Sequence, residues 1–356
     1  MSLLEKIKKN STIKESSILS TSKFFNEKDM IQTQIPAINV AYSGDLDGGL
    51  TPGLTQWAGP SRHFKTLFSL ISAKAYMDKY PDAVLLFYDS EFGTPKSYFE
   101  AVGIDMERVI HTPLTNIEQM KFDVMTQLED IIRGEHLIVL IDSIGNMASK
   151  KEVDDALDGK SVADMTRAKQ LKSFFRMVTP HLNLKDIPMI VVNHVYMTME
   201  MFSKPIVSGG TGGMYSSDNV FIIGRQQDKD GKDLMGYNFI INVEKSRYVK
   251  EKSKIPITVK FKGGISKWSG LLDMALESGH VTKPKNGRYS KVDQETGEFD
   301  EKGIKIQATD TADFWKPILA DQKFKDFVKA KYSVSHGALI EDDSEEVYDN
   351  LEDENE

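Results

Sequence analysis

Residues 59–66 read GPSRHFKT, and this octet decides the fold class. It matches the phosphate-binding loop G-x-x-x-x-G-K-S/T except that Phe64 stands where the pattern has its second glycine. In such a loop backbone N–H groups surround phosphates, a lysine contacts the β- and γ-phosphates, and a hydroxyl binds magnesium. Lys65 and Thr66 supply those two side chains. If Phe64 adopts a positive φ, the strain is of the order of 1–3 kcal/mol, and nearby contacts must offset it.

The stretches on either side of the octet favour a strand–loop–helix unit. Residues 54–58 are compatible with a short strand, and apolar residues recur at helical spacing in TLFSLISAKAYMDKY (66–80). Phosphate sites of this kind lie at a helix N-terminus, where free N–H groups and the helix dipole favour anions. An ordinary turn before an amphipathic helix remains the alternative at this point, because short motifs also occur by chance.

Composition excludes several classes of protein. The 356-residue chain contains no cysteine, so it forms neither a disulfide framework nor a thiolate metal site. Its longest apolar runs, such as LIVLI at 137–141, are far shorter than the roughly 20 residues that cross a bilayer. The N-terminal sequence MSLLEKIKKNSTIKESS is too charged for a signal peptide. We therefore expect a cytoplasmic protein.

The charge of the chain is unevenly distributed. The net charge is −8, but residues 341–356 hold ten carboxylates and neither Lys nor Arg, so the other 340 residues sum to −8 + 10 = +2. A block of like charge this dense is typical of a disordered tail that keeps the protein soluble or binds a partner. The remainder of the chain is compatible with a nucleic-acid partner.

The order of apolar runs predicts an α/β fold. Between residues 54 and 262 such runs alternate with amphipathic stretches, as in a mostly parallel sheet covered by helices. The predicted strands after the loop are 83–89, 137–142, 187–194, 219–224, 237–244 and 255–261. The first three are almost continuously apolar, as in strands buried on both faces, and the last three are candidates for an antiparallel extension. Beyond residue 263 we predict a small unit with helices near 269–278 and 312–331.

Polar side chains stand at the ends of several of these apolar runs. Asp142 ends LIVLID, where an α/β nucleotide site places a carboxylate that acts on magnesium. Asp89 and Glu91 end a second run, and Asn193 and His194 end a third. Ligands bind at these strand ends in open α/β sheets. Glu91 is the candidate for orienting and deprotonating a water beside a γ-phosphate, and a surface carboxylate in a loop is the alternative.

Taken together, the motifs resemble the RecA/Rad-type recombinase family. The resemblance rests on GPSRHFKT, YDSEFG, LIDSIGN, SGGTGG and INVEKSR, in this order and spacing, and covers residues from about 20 to 290. Members from T-even bacteriophages are the most similar, through SKFFNEKD (22–29), MTRAK (165–169), GGTG (209–212), KPKNG (283–287) and the phenylalanine of the phosphate loop. The family's fold is a P-loop NTPase core, a mostly parallel sheet flanked by helices. The resemblance implies four parts: an N-terminal helical oligomerisation segment (1–30), a RecA-like ATPase core with DNA-binding loops (31–268), a small C-terminal α/β domain (269–335) and an acidic disordered tail (336–356).

The resemblance also assigns roles to residues of the nucleotide site. ATP would be bound by Gly59, Pro60, Ser61, Arg62, His63, Phe64, Lys65, Thr66 and Tyr98, and magnesium by Thr66 and Asp142. The catalytic set would be Glu91, Lys65, His194, Lys245 and Arg247. Tyr98 would stack on adenine, although a helix residue packed on the sheet is nearly as good an interpretation. Lys245 and Arg247 would act on the ATP of a neighbouring subunit.

His194 occupies the position of a relay residue, commonly glutamine, between the γ-phosphate and the second DNA loop of the family. A histidine there still donates a hydrogen bond, but it titrates near neutral pH, unlike an amide. We therefore hypothesise that coupling between ATP and DNA depends on pH.

Two stretches are expected to contact DNA. Residues 150–163 lie where the family has its first DNA loop, and Arg167, Lys169, Lys172 and Arg176 belong to the helix that follows. The last three share one helical face, with Met165, Ala168, Leu171, Phe175 and Val178 predicted to pack inward. The second stretch, 195–213, offers Met199, Phe202, Gly209, Gly210 and Gly212 for contacts to bases and phosphates. A solvated basic face and a mobile surface loop are the respective alternatives.

The predicted function is that of an ATP- and Mg²⁺-dependent DNA strand-exchange recombinase, a DNA-dependent ATPase that forms helical filaments. Its partners would be single-stranded DNA, homologous duplex DNA, a recombination mediator and a single-strand-binding protein, in the cytoplasm of a host cell if the gene is a phage gene. A ring-shaped hexameric helicase of the same fold and a non-hydrolysing ATP-binding assembly protein remain alternatives.

Overall fold

A computed structural model describes residues 2–13, 15–22, 24, 28–160, 165–199, 203–230 and 232–334. The strands are β1 (Gly53–Ala58), β2 (Val84–Asp89), β3 (Val109–Pro113), β4 (Leu137–Asp142), β5 (Pro188–Asn193), β6 (Val195–Met197), β7 (Pro205–Val207), β8 (Asn219–Asp230), β9 (Asp233–Ser246), β10 (Lys254–Lys260), β11 (Gly264–Ile265), β12 (Val281–Lys285), β13 (Arg288–Lys291) and β14 (Ile304–Lys305). The helices are α1 (Leu3–Asn10), α2 (Pro36–Ser43), α3 (Lys65–Lys79), α4 (Lys96–Val102), α5 (Ile117–Asp130), α6 (Lys150–Leu157), α7 (Thr166–Lys185), α8 (Thr211–Ser216), α9 (Leu271–Glu277), α10 (Ala312–Ala320) and α11 (Gln322–Tyr332).

One large sheet organises the molecule. Its nine strands run in the order β11-β10-β9-β8-β1-β5-β4-β2-β3. The six strands from β8 to β3 are mutually parallel, and β9, β10 and β11 extend the sheet in antiparallel fashion. The predicted mostly parallel sheet is confirmed. The antiparallel extension, however, begins one strand later than expected, because the first of the last three predicted strands pairs in parallel with β1.

Helices cover both faces of this sheet. Side chains alternate along β1, so that Trp57 packs on one face with Phe68 of α3, while Leu54 packs on the other with Phe175 of α7. The aromatic side chains Trp57 and Phe221 lie 4.5 Å apart between ring centroids in the first of these layers. The parallel strands therefore end on one rigid edge, and the loops after β1, β2, β4 and β5 meet there.

The C-terminal part forms a small α/β unit. Strands β12, β13 and β14 make a separate three-stranded sheet, and α9, α10 and α11 pack beside it. The helix predicted near 312–331 is interrupted, because Asp321 ends α10 and caps α11 by accepting a hydrogen bond from the Lys323 N–H. Within the described residues, no helix has the length and apolarity needed to cross a membrane.

Candidate nucleotide and DNA sites

The phosphate loop joins β1 to α3 with two residues in the left-handed region. Phe64 has φ 56° and Arg62 has φ 60°. The Phe64 ring lies against Phe239 of β9, with 4.9 Å between ring centroids. Phe64 thus takes the backbone conformation that the missing glycine would adopt, and its ring is held by a buried aromatic residue of a distant strand.

The side chains predicted for phosphate and magnesium lie together at the start of α3. The Lys65 ammonium donates to the Pro60 carbonyl at 2.8 Å, and burial lowers the pKa of Lys65. The Thr66 hydroxyl donates to Asp142 Oδ2 at 2.6 Å. Burial raises the pKa of Asp142 to about 6, against the opposing effect of the Thr66 hydrogen bond. A bound cation would favour the ionised form of this carboxyl group.

This donor set fits magnesium that arrives with a nucleotide. A hydroxyl and a carboxylate are oxygen donors of the kind that Mg²⁺ takes, and Mg²⁺ commonly uses one or two protein ligands beside phosphate oxygens. In the described part of the chain no three His, Cys, Asp or Glu side chains converge as a metal site. The geometry therefore suits a metal shared with phosphates rather than a site made by the protein alone.

Glu91 lies in a network of donors at the end of β2. Its Oε1 accepts from the Ser143 hydroxyl at 2.5 Å and from His194 Nε2 at 2.9 Å. These two hydrogen bonds lower the pKa of Glu91 to about 2, and the bond from His194 has the larger effect. Asp89 Oδ1 accepts from the N–H groups of Glu91 at 3.0 Å and Phe92 at 2.8 Å, which fixes the loop. Glu91 is therefore an ionised carboxylate with a defined position.

A cavity of about 850 Å³ brings the predicted nucleotide-binding and hydrolytic residues together. It is lined by residues 61–66 of the phosphate loop and by Glu91, Tyr98, Asp142 and His194. The volume lies within the range of small-molecule sites. Tyr98, on α4, is 49% exposed at its border, which leaves its ring available to a base.

Arg225 and Tyr237 are among the residues of the cavity wall that were not predicted. Arg225 of β8 lies 4.7 Å over the ring of Tyr237 of β9, and its Nη1 donates to the Arg62 carbonyl at 3.4 Å. No local motif marks these positions. They reach the phosphate loop only because β8 and β9 form a long hairpin beside β1.

Lys245 and Arg247 do not line the cavity of their own subunit. The Lys245 ammonium donates to the carbonyls of Met214 at 2.9 Å, Tyr215 at 3.0 Å and Ser217 at 2.7 Å, at the end of α8. Arg247 Nε lies 2.5 Å from Asp218 Oδ1. The two cations share the end of β9, and their predicted action on a neighbour's nucleotide stays a prediction.

The first predicted DNA region divides into two kinds of residue. Lys169, Lys172 and Arg176 are exposed on α7, as expected for a basic face. Arg167 instead donates from Nε to the carbonyl of Met147 at 2.9 Å and from Nη2 to those of Ile144 at 2.9 Å and Gly145 at 2.8 Å. Its guanidinium therefore holds the turn after β4.

The inward face of α7 begins later than predicted. Leu171, Phe175 and Val178 are buried, whereas Met165 and Ala168 are exposed, so the expectation for these two was wrong. Met165 is the N-cap residue that precedes α7 and Ala168 lies in its first turn, whereas the buried residues begin at Leu171.

The second predicted DNA region is more ordered than a free loop. Strands β6 and β7 pair as an antiparallel hairpin, and α8 follows. Met199 is fully exposed at the end of this hairpin, and Phe202 lies outside the described residues. Gly209 and Gly210 have positive φ, and Gly212 packs so tightly on Lys172 that a Cβ there would lie 2.9 Å from the Lys172 Cα.

Comparisons with known proteins place this geometry in a family. The model of the RecA N-terminal domain matches residues 4–266, and the model of the C-terminal domain of the bacteriophage T4 recombination and repair protein matches residues 268–328. The recombination and repair protein of Enterobacteria phage T4 is 54% identical over 349 residues, which cover 97% of this chain and 88% of that protein.

Two further proteins are similar at lower sequence identity. Protein RecA of Bacteroides thetaiotaomicron is 26% identical over 301 residues, which cover 83% of this chain and 87% of that protein. The crystal structure of the RadB recombinase matches with a TM-score of 0.48 at 20% identity and covers 66% of this chain and 98% of that one. The chain belongs to the RecA family of recombinases and is similar along almost its whole length to the phage T4 recombination and repair protein.

Proposed function

We propose that this protein is an ATP-dependent DNA strand-exchange recombinase that assembles as a helical filament on single-stranded DNA. The observation that carries the proposal is the single cavity that holds Lys65, Thr66 and Asp142 together with the Glu91–His194 pair. The β6–β7 hairpin follows His194 directly, so the hydrolytic residues and the predicted DNA-binding segment belong to adjoining stretches of chain.

Each side chain of the cavity would have a separate task. Lys65 would exchange its bond to the Pro60 carbonyl for bonds to phosphate oxygens, which are stronger acceptors because they are charged. Thr66 would hold magnesium, with Asp142 in support, and the metal would neutralise part of the phosphate charge. Tyr98 would stack on the adenine.

Glu91 would orient the attacking water. Glu91 is an ionised carboxylate, so it accepts a hydrogen bond from the water. This role suits a loose phosphoryl-transfer transition state, in which protein groups mainly position the reactants and stabilise the developing charge. When the γ-phosphate binds, His194 would turn its Nε2–H toward it and leave Glu91 Oε1 free for the water.

Turnover would require a second copy of the chain. Lys245 and Arg247 lie outside their own cavity, and cations supplied by a neighbour stabilise the charge of phosphoryl transfer by large factors. Helix α1 presents Leu3, Leu4 and Ile7 unburied, which leaves an apolar face for packing on the next subunit. ATP would therefore bind between adjacent subunits of a filament.

Contacts to DNA would come from both predicted regions. Lys169, Lys172 and Arg176 offer phosphate contacts, and the segment with Met199 offers flexible apolar contact to bases. Such contacts are independent of base sequence and strongly dependent on salt. A recombination mediator and a single-strand-binding protein would regulate access to the strand in the cytoplasm of the host.

The test is ATP hydrolysis with and without single-stranded DNA, followed by homologous strand exchange. We expect DNA to stimulate hydrolysis, Lys65→Ala and Glu91→Gln to abolish it, and the wild type to exchange strands. Hydrolysis that DNA does not stimulate would contradict the proposal. Open helical filaments in electron micrographs would support it, whereas closed rings would favour the helicase, and ATP binding without turnover would favour the assembly protein.

A further inference from the structure

A polar side chain lies in the middle of the central strand. Gln56 of β1 is 1% exposed and lies between Leu54 and Ala58 along one face of the sheet, which α7 covers. A buried amide must find hydrogen-bond partners. Gln56 has two, from different parts of the chain: Asn193 Nδ2 donates to its Oε1 at 3.1 Å, and its Nε2 donates to the Ser217 hydroxyl at 2.9 Å.

Hydrogen bonds through Asn193 connect the Gln56 amide to the hydrolytic residues. Asn193 Oδ1 accepts from the His194 N–H at 2.8 Å, and Asn193 Nδ2 also donates to the Ser208 carbonyl at 2.9 Å, at the end of the β6–β7 hairpin. The His194 ring donates to Glu91. If the turn of the His194 ring toward a bound γ-phosphate also shifts the His194 backbone, the Asn193 amide that accepts from this backbone is displaced with it.

The Ser217 side leads to the cation at the end of β9. The Ser217 hydroxyl donates to the Gly213 carbonyl at 2.7 Å, and the Ser217 carbonyl accepts from Lys245 Nζ at 2.7 Å. Gly213 is packed closely, since a Cβ there would lie 2.7 Å from Gln56 Nε2. Gln56 is thus one of the contacts that position Ser217, and the Ser217 carbonyl is one of the three that hold the Lys245 ammonium.

Backbone groups determine which partner donates and which accepts in the hydrogen bonds of this network. The Ser208 carbonyl only accepts and the His194 N–H only donates, which sets the orientation of the Asn193 amide. Gln56 must then present its oxygen to Asn193 and its nitrogen to Ser217. Turning either amide over would place buried donors against donors, so the hydrogen-bond network has one arrangement of its amide groups.

We propose that Gln56 is a positioning residue that couples the Glu91–His194 pair of a subunit's own nucleotide site to Lys245, the cation that the subunit offers to its neighbour. The inference rests on the proposed function for the role of Lys245. It goes beyond that function because it assigns the link between successive ATP sites to a buried amide that touches neither nucleotide nor DNA.

Hydrogen exchange of the whole chain, with and without magnesium and a non-hydrolysable ATP analogue and without DNA, tests the coupling directly. In the wild type we expect the analogue to slow exchange in residues 59–68 and to change it in residues 211–217. Gln56→Met has nearly the same volume but makes neither bond, so it should keep the first response and lose the second. Thr55→Ser, at the neighbouring and equally buried position of β1, keeps the hydroxyl that accepts from Asn219 and should keep both responses.

Each outcome has a separate meaning. A wild type without protection of residues 59–68 would contradict the proposed function itself. Protection of that loop without any response at 211–217, or a full response at 211–217 in Gln56→Met, would overturn the coupling. Ser217→Ala removes the same link by deleting one small hydroxyl, so it should reproduce the loss even if Gln56→Met folds poorly.

A double-mutant cycle on DNA-stimulated hydrolysis tests whether Gln56 acts through Lys245. We expect Gln56→Met to lower turnover about ten-fold, and to lower it less than about two-fold further when Lys245→Met is already present, because residues in one network are not additive. Thr55→Ser, which keeps its hydroxyl, should add its small effect independently. Losses by Gln56→Met and Lys245→Met that multiply in full would overturn the proposal.

Discussion

Phe64 illustrates, at the scale of one residue, how a motif tolerates a side chain where it normally has glycine. Its left-handed backbone costs of the order of 1–3 kcal/mol, and an aromatic pair contributes about 0.5–1.5 kcal/mol beyond the area it buries. The contact with Phe239 therefore offsets a large part of the strain. The loop keeps its shape through a tertiary contact instead of through a missing Cβ.

The two substitutions Phe64→Gly and Phe64→Ala separate strain from ring contact. Both lose the ring, but only alanine keeps the left-handed strain, so Phe64→Gly should be more stable than Phe64→Ala by about 1–2 kcal/mol. Urea unfolding measures this difference. His63 does not have a positive φ, so the order should reverse there. His63→Ala should be more stable than His63→Gly. Equal stability of the Phe64 pair would show that the backbone is not left-handed in solution.

Asp142 and Glu91 should respond to pH with opposite signs. The pKa of Asp142 is raised to about 6, so burying its charge costs stability above pH 6, and this cost falls away as the pH is lowered toward the unfolded value of 3.8. Asp142→Asn should therefore stabilise the nucleotide-free protein by about 1–3 kcal/mol at pH 7.5, with the gain disappearing near pH 4.

Glu91→Gln provides the contrast. Because the pKa of Glu91 is lowered to about 2, its ion stabilises the fold fully above pH 4.5 and loses that effect as the pH falls through 2. Glu91→Gln should thus destabilise at neutral pH. Thermal unfolding across pH measures both variants, and a loss of stability in Asp142→Asn at pH 7.5 without nucleotide would contradict the assignment of burial as the cause.

At the scale of elements, the contact between α7 and α8 joins the two predicted DNA regions. Gly212 of α8 lies on Lys172 of α7, where a Cβ would approach the Lys172 Cα to 2.9 Å and its Cβ to 3.0 Å. Neither atom is at the flexible end of the side chain. The glycine therefore sets the distance between the basic face of α7 and the segment after the β6–β7 hairpin.

Gly212→Ala should push these two helices apart. We expect a loss of stability of about 1–3 kcal/mol, typical of overpacking, together with weaker binding of single-stranded DNA and unchanged nucleotide binding. Fluorescence anisotropy with labelled DNA and with a labelled nucleotide measures the two affinities. Gly224→Ala is the matched control, because its Cβ would meet its nearest neighbour at an ordinary 3.5 Å. DNA affinity that is equal in both variants would argue against this role.

At the scale of the whole molecule, charge is separated between a slightly basic body and an acidic end. The ten carboxylates of residues 341–356 lie outside the described residues, whose last member is Val334. The Val334 N–H donates to the Tyr248 carbonyl at 2.8 Å, so the last described residue is bonded to the residue after Arg247. That residue therefore lies close to the cations that we assign to the filament interface.

Deleting residues 341–356 changes the formal charge from −8 to +2. If the tail competes with DNA for basic residues, its removal should tighten DNA binding most at low salt and steepen the fall of log K with log salt. A salt titration of DNA binding measures the slope. A deletion variant with the slope of the full chain would rule out competition. A second variant, in which Asn and Gln replace the ten carboxylates, separates the effect of the tail's charge from that of its length.

Features that depend on short stretches of chain are predictable from the sequence. The octet at 59–66, the buried runs that became β2, β4 and β5, and the carboxylates at the ends of β2 and β4 follow from local pattern and from the rule that parallel strands end at one edge. Contacts between distant residues become visible in the folded structure alone. Phe239 lies beneath Phe64, Arg225 and Tyr237 line the nucleotide cavity, and Gln56 binds both Asn193 and Ser217, because strand order and register bring these positions together from more than 130 residues away. Sequence periodicity records which residues are buried, but hydrogen-bond partners depend on where each strand lies in the sheet.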